Sequence, residues 1–185
     1  MVREILVDAE LRMRGSVSAL ESDLQTFRTG VASPQLLDRI EVEMYGAMLP
    51  LNQLAVIAVP EPQQLSIRPY DPSSLSAIER SILKSDLGLT PNNDGSIIRL
   101  NIPRLTEERR RELSRLVNKR VEEARVAVRN VRRDVLNDLR ELKDEKEISE
   151  NQFYISQDDL QKLTDNYVAQ VDDLGQKKEA EIMEV

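Results

Sequence analysis

The sequence predicts an α+β protein: a long three-helix bundle with a small mixed α/β domain inserted after its first helix. Three observations carry this. Apolar residues recur at alternating steps of three and four at both ends of the chain, the mark of one helix face. All eight prolines lie between Val31 and Pro103, where they disfavour long helices. Charged residues make up 32% of the chain and aromatics 3%, a balance that suits narrow apolar stripes better than a broad globular core.

The first helix runs to about Thr29. Ile5, Ala9, Met13, Val17, Leu20, Leu24 and Phe27 form its stripe. Gly30 and then Ser33-Pro34 end it, since glycine caps helices and proline cannot continue them. Beyond it the period changes to two. Arg39–Tyr45 alternates polar and apolar residues as a half-buried strand does. Gly46-Ala47 turns the chain back through Met48 and Leu49. Leu54–Val59 and Leu65–Arg68 read as two more strands, with Pro60 and Pro62 between them. Ser73 or Ser74 is placed to cap a short helix carrying Leu75, Ile78, Ile82 and Leu83. Asn93-Asp94-Gly95 is a turn signal that leads into a strand over Ile97–Ile102.

A long helix is expected from Leu105 to about Asp144, with Thr106 as its cap and Glu107 and Glu108 in an acidic first turn. Its stripe is Leu113, Val117, Ala124, Val128, Val131, Val135 and Leu142. At ~1.5 Å per residue such a helix spans about 60 Å. Ser149 and Gln152 suit a capping box for a third helix, whose stripe is Phe153, Leu160, Leu163, Tyr167, Val171 and Leu174. A lone amphipathic helix leaves its stripe in water, so the three must pack together. The predicted domains are therefore 1–29 with 105–185, and 31–103. The two crossings between them, Thr29, Gly30 and Val31 on one side and Pro103 and Arg104 on the other, are the predicted hinge.

The chain has no cysteine and no histidine. Disulfides, thiolate metal sites, zinc hydrolysis and Ser-His-Asp or Cys-His catalysis are thereby excluded. No Gly-x-x-x-x-Gly-Lys-Ser/Thr loop is present, so no nucleotide binding is expected through that motif. The paired acids Asp144-Glu145, Asp158-Asp159 and Asp172-Asp173 are read as solubilising residues and not as a metal site. Tyr45, Tyr70, Tyr154 and Tyr167 are too scattered for a base-stacking platform. Tyr167 suits the bundle core; Met44 and Met48, near a turn, suit core filling ahead of the alternative, a soft contact surface. Residues 1–8 lack the apolar core of a signal peptide, and no apolar run nears the roughly 18 residues of a membrane span. A cytoplasmic monomer that needs neither metal nor cofactor is expected.

The long helix is the informative region for function. Between Arg104 and Arg133 eleven Arg and Lys stand against five Glu, a charge of +6, and the whole chain carries −7, which leaves −13 elsewhere. Such segregation guides partner choice better than the total. At about 100° per residue, Arg111, Arg125, Arg129 and Arg132 share one narrow arc, with Arg115, Arg133 and Arg140 on its flank. The arc is turned roughly a quarter turn or more from the apolar stripe, so it should face solvent. Arginine outnumbers lysine here, and its planar fork suits bidentate phosphate contact. Three readings fit this face: a nucleic-acid contact, an acidic protein partner, or a solvated surface, which Glu122 interrupts and whose arginines carboxylates of the third helix can pair.

Several strings carry a family resemblance. Arg28-Thr29-Gly30 followed by Ala32-Ser33-Pro34, Pro50-Leu51-Asn52-Gln53-Leu54-Ala55, Ser85-Asp86-Leu87-Gly88-Leu89, Asp94-Gly95, Leu105–Arg110, Val128-Arg129-Asn130-Val131-Arg132-Arg133-Asp134 and Gln161-Lys162-Leu163-Thr164-Asp165 resemble, in order, segments of ribosome recycling factors. Val31 departs from the basic residue of that pattern, and Leu49 from a polar one. The resemblance implies an L-shaped two-domain protein that binds the post-termination ribosome. With elongation factor G and GTP, such factors split the subunits so that mRNA and tRNA leave. The GTPase supplies the chemistry, so the chain itself is expected not to be an enzyme. The resemblance places Arg129 and Arg132 where the family's long helix meets large-subunit rRNA. Arg111, Arg125 and Arg133 join them as candidates, although the angle of Arg133 also admits a partner on the bundle. A helical interaction protein and an unrecognised hydrolase are the rival readings from the residues alone.

Overall fold

The computed structural model describes residues 1–184 and divides into two compact units, residues 1–28 with 107–184, and residues 29–106. The first is a bundle of α1 (Val2–Gln25), α4 (Glu107–Asp144) and α5 (Glu150–Met183), each packed against the other two. At ~1.5 Å per residue α4 is about 57 Å long. Its buried face is Leu113, Val117, Val121, Ala124, Val128, Val131, Val135 and Leu139. Val121 and Leu139 were not in the predicted stripe, and Leu142 is only half-buried.

Helix ends differ from the reading by a few residues. α1 stops at Gln25, four residues before Thr29. There the backbone tightens: the N–H groups of Thr26 and Phe27 donate to the carbonyls of Asp23 and Leu24, and the Thr26 hydroxyl also donates to Asp23 O at 2.6 Å. α4 begins at Glu107, and Leu105 belongs to the second unit. α5 starts as the spacing requires. Ser149 Oγ accepts from Gln152 N at 3.1 Å while Gln152 Oε1 accepts from Ser149 N at 3.0 Å, a complete capping box. Buried hydroxyls of Ser156 and Thr164 donate to the carbonyls four residues back, which removes the penalty for burying them. Gly175 permits the closest approach: a Cβ there would lie 2.7 Å from Val121 Cγ2.

The second unit has a hairpin, β1 (Glu41–Met44) with β2 (Ala47–Pro50), and a short helix α2 (Leu51–Leu54). It also has a four-stranded antiparallel sheet in the order β3 (Ala55–Glu61), β4 (Gln64–Pro69), β6 (Ile98–Asn101), β5 (Pro91–Asn93). α3 (Leu75–Lys84) completes the unit. The hairpin turns at Tyr45-Gly46, one residue earlier than read, with φ of 54° and 76°. A two-residue hairpin loop needs positive φ at both positions.

β3 and β5 are the sheet edges, which is why they tolerate Pro60 and Pro91, residues without an N–H to donate. Ser74 stands at the N-cap of α3 as read, but its side chain makes no capping hydrogen bond; Asp71 caps the 3-10 turn over Pro72–Ser74 that leads into α3, its carboxylate accepting from Ser73 N at 2.9 Å. Leu65 and Ile67 of β4, Ile98 and Leu100 of β6, and Leu75, Ile78 and Ile82 of α3 share one core. Leu83 and Met48 lie outside it and are exposed; Met48 therefore does not fill the core.

Candidate nucleic-acid interface

The five candidate arginines sit on one side of α4 but in different circumstances. α4 holds them in place because its apolar face is locked into the bundle from Leu113 to Leu139. Arg125 borders α5 and is 31% exposed. Its Nε donates to Asp172 Oδ1 at 2.7 Å and its Nη1 to Glu122 Oε2 at 2.9 Å. These bonds, Glu122 first and Asp172 next, raise the guanidinium pKa above its ordinary value. Asp172, read from the sequence as a solubilising acid, thus joins α5 to α4.

Arg132 also borders α5. Its Nη1 donates to Gln161 Oε1 at 2.6 Å. Arg129 is 53% exposed and only loosely paired, 3.7 Å from Glu122 Oε1. Arg111 is exposed and paired with Glu107 one turn back on α4. Arg133 is exposed, and among the described residues it makes no hydrogen bond or ion pair. Arg115 and Arg140 are in the same state.

The face is therefore graded. Next to α5 the arginines are engaged; a few tens of degrees further round the helix they are open. Arg129, Arg132 and Arg133 lie within about one turn of one another. Together they present guanidinium forks whose remaining donors match phosphate oxygens. Among the described residues no group of three acidic side chains converges to hold a metal ion, and no helix is long and apolar enough to cross a membrane.

The residues at the crossings lie in the second unit. Thr29 and Gly30 are buried, Val31 is half-buried, and Pro103 and Arg104 are exposed. Gly30 has φ of 76°, and a Cβ there would stand 3.3 Å from Leu105 Cγ and 3.4 Å from the Pro103 carbonyl. The two crossings thus run side by side. Both are tied to the β3–β4 turn: Ala32 N donates to Pro62 O and Ile102 N to Gln63 O, each at 2.8 Å, and Arg104 Nε donates to Gln63 Oε1 at 3.1 Å.

Sequence reasoning gave Gln161 no structural role. A signal existed: it directly follows the stripe residue Leu160, which puts it on the shoulder of α5 beside α4.

Comparison with known proteins agrees with this architecture. The ribosome recycling factor family pattern matches residues 20–183. Ribosome-recycling factors of Roseiflexus castenholzii and Halalkalibacterium halodurans are 54% and 55% identical over 185 residues, covering all of both chains in each case. A solution structure of the ribosome recycling factor superposes with a TM-score of 0.77 at 41% identity, over 100% of this chain and 98% of that one. Models for the T. thermophilus ribosome recycling factor and the E. coli elongation factor G bound to the E. coli post-termination complex give a TM-score of 0.67 at 43% identity, over 99% of both chains. With its three-helix bundle, its inserted sheet unit and likeness along its full length, the chain belongs to the ribosome recycling factor family.

Proposed function

We propose that this protein binds the post-termination ribosome as a monomer and, with elongation factor G and GTP, separates the subunits so that mRNA and tRNA leave. The observation that carries this reading is the open arginine face of α4, on a chain that is similar over its whole length to a ribosome recycling factor described, with elongation factor G, as bound to the post-termination complex. The bundle docks through that face to large-subunit rRNA. Arg129, Arg132 and Arg133 make the phosphate contacts, Arg111 supports them at the near end of the helix, and Arg125 mainly locks α4 to α5.

Thr29, Gly30, Val31, Pro103 and Arg104 act as the hinge. Two short crossings braced against one turn favour bending over free tumbling. Elongation factor G pushes on the small unit or this hinge, and the stiff bundle transmits the force to a contact between the subunits. The partner's GTP hydrolysis drives the step.

The test is a subunit-splitting assay on post-termination ribosomes, with and without elongation factor G and GTP. Splitting that needs all three components is expected; none above the level without this protein overturns the proposal. Arg132→Ala is expected to weaken large-subunit binding by about tenfold, the loss of one charge-assisted contact, while circular dichroism and melting stay unchanged. Affinity undiminished across several salt concentrations would remove Arg132 from the contact surface.

A further inference from the structure

Two arginines on the α5 border of α4 are held by chemically different partners. Arg125 lies between two carboxylates, Asp172 and Glu122, which cancel its charge locally. Arg132, about two turns further along the same border, meets a neutral amide: Gln161 Oε1 accepts from Arg132 Nη1 at 2.6 Å. The other end of that amide, Nε2, donates to Asp165 Oδ1 at 2.8 Å. A carboxylate accepts and never donates when ionised, so Asp165 fixes which end of the amide faces Arg132. The nearby negative charge is thereby occupied by the amide and held off the guanidinium.

From this we infer that Gln161 is a positioning residue for ribosome binding: it orients the Arg132 fork without neutralising it. The inference rests on Arg132 being a phosphate contact. One of the five guanidinium donors is spent on Gln161, and the rest stay available in a fixed direction. An arginine already held in place loses less rotamer freedom on docking than one waving in solvent. A carboxylate at position 161 would hold the side chain more tightly but turn it into a second Arg125. The choice of an amide at one border position and acids at the other separates a presented cation from a structural one.

The experiment measures binding of the full chain to large ribosomal subunits across a salt series, together with melting. Arg132→Ala should lower affinity about tenfold and reduce the slope of log affinity against log salt by about one. Gln161→Glu should reproduce much of both effects while the melting temperature stays the same or rises. Gln161→Ala should cost about threefold with the salt slope intact, because the charge remains. A merely structural Gln161 would give the reverse order, with the glutamate variant binding like the unaltered protein and the alanine variant less stable. If Gln161→Glu binds normally while Arg132→Ala is impaired, the positioning role is wrong. If Arg132→Ala itself binds normally at every salt concentration, the phosphate contact beneath it fails instead.

Discussion

The buried face of α4 is built mainly from valine, with Val117, Val121, Val128, Val131 and Val135 along it, whereas the core of the inserted unit is mainly isoleucine and leucine. Leu65, Ile67, Ile78, Ile82, Ile98 and Leu100 are all at 0% exposure there. Each valine stabilises a short length of a long seam, against whichever neighbour lies at the same height. The six larger side chains come from three distant segments and meet at one point. The bundle is thus a distributed structure, with stability spread along a rod. The small unit is a concentrated one, dependent on a few central residues.

The largest expected effect separates these two designs. Ile67→Ala should destabilise the small unit by about 2–5 kcal/mol, the usual result for a fully buried isoleucine. Val128→Ala, which also alters a fully buried side chain, removes fewer carbons and should cost the bundle about 2 kcal/mol. Hydrogen exchange resolved by segment is the measurement. Each substitution should expose the amides of its own unit first; equal loss of protection in both units after either change would show one cooperative structure and end the comparison.

Gly175→Ala comes next. The added methyl meets Val121 Cγ2 at 2.7 Å, so overpacking should cost about 1–3 kcal/mol, offset in part by the better helix propensity of alanine, about 0.5–1 kcal/mol. Denaturant midpoints will show this, and Val121→Ala in the same chain should recover part of the loss. No recovery would mean that the seam yields elsewhere.

The smallest effect is the response to acid. The Asp71 carboxylate is held below its ordinary value of 3.8, first by the hydroxyl of Tyr45 and then by the backbone N–H of Ser73. A depressed folded-state value means that this stabilisation is complete above the unfolded value and fades as pH falls below it. The small unit should therefore lose stability below about pH 4, and Asp71→Asn should flatten that limb of its melting curve. An unchanged acid limb in that variant would show that Tyr45 and Ser73 do not hold the carboxylate in solution.

Legibility in the sequence follows the same division. The helical stripes were readable because each α-helix closes its hydrogen bonds within a few residues, so period and caps are local properties. Ser149 with Gln152 is the clearest case. Strand β5 was not readable, because Pro91–Asn93 has no alternation and forms only by pairing with β6. Tyr45 likewise takes a positive φ of 54° that its side chain disfavours, in a turn whose position is set by the pairing of Met44 with Ala47. On the candidate interface, helical angle identified the arc of arginines, but not which of them are open. That depends on what α5 sets opposite each one.

By itself the chain determined the three stripes, the proline-rich insertion between them and the concentration of positive charge on the long helix, since all of these are matters of local spacing and composition. Tertiary packing alone decided that Asp172 binds Arg125, that Gln161 orients Arg132 and that Arg133 stays open. The physical reason is distance: the guanidinium of Arg125 is 2.6 Å from a carboxylate 47 residues away, and only the register in which α4 and α5 settle against each other can bring such a pair together.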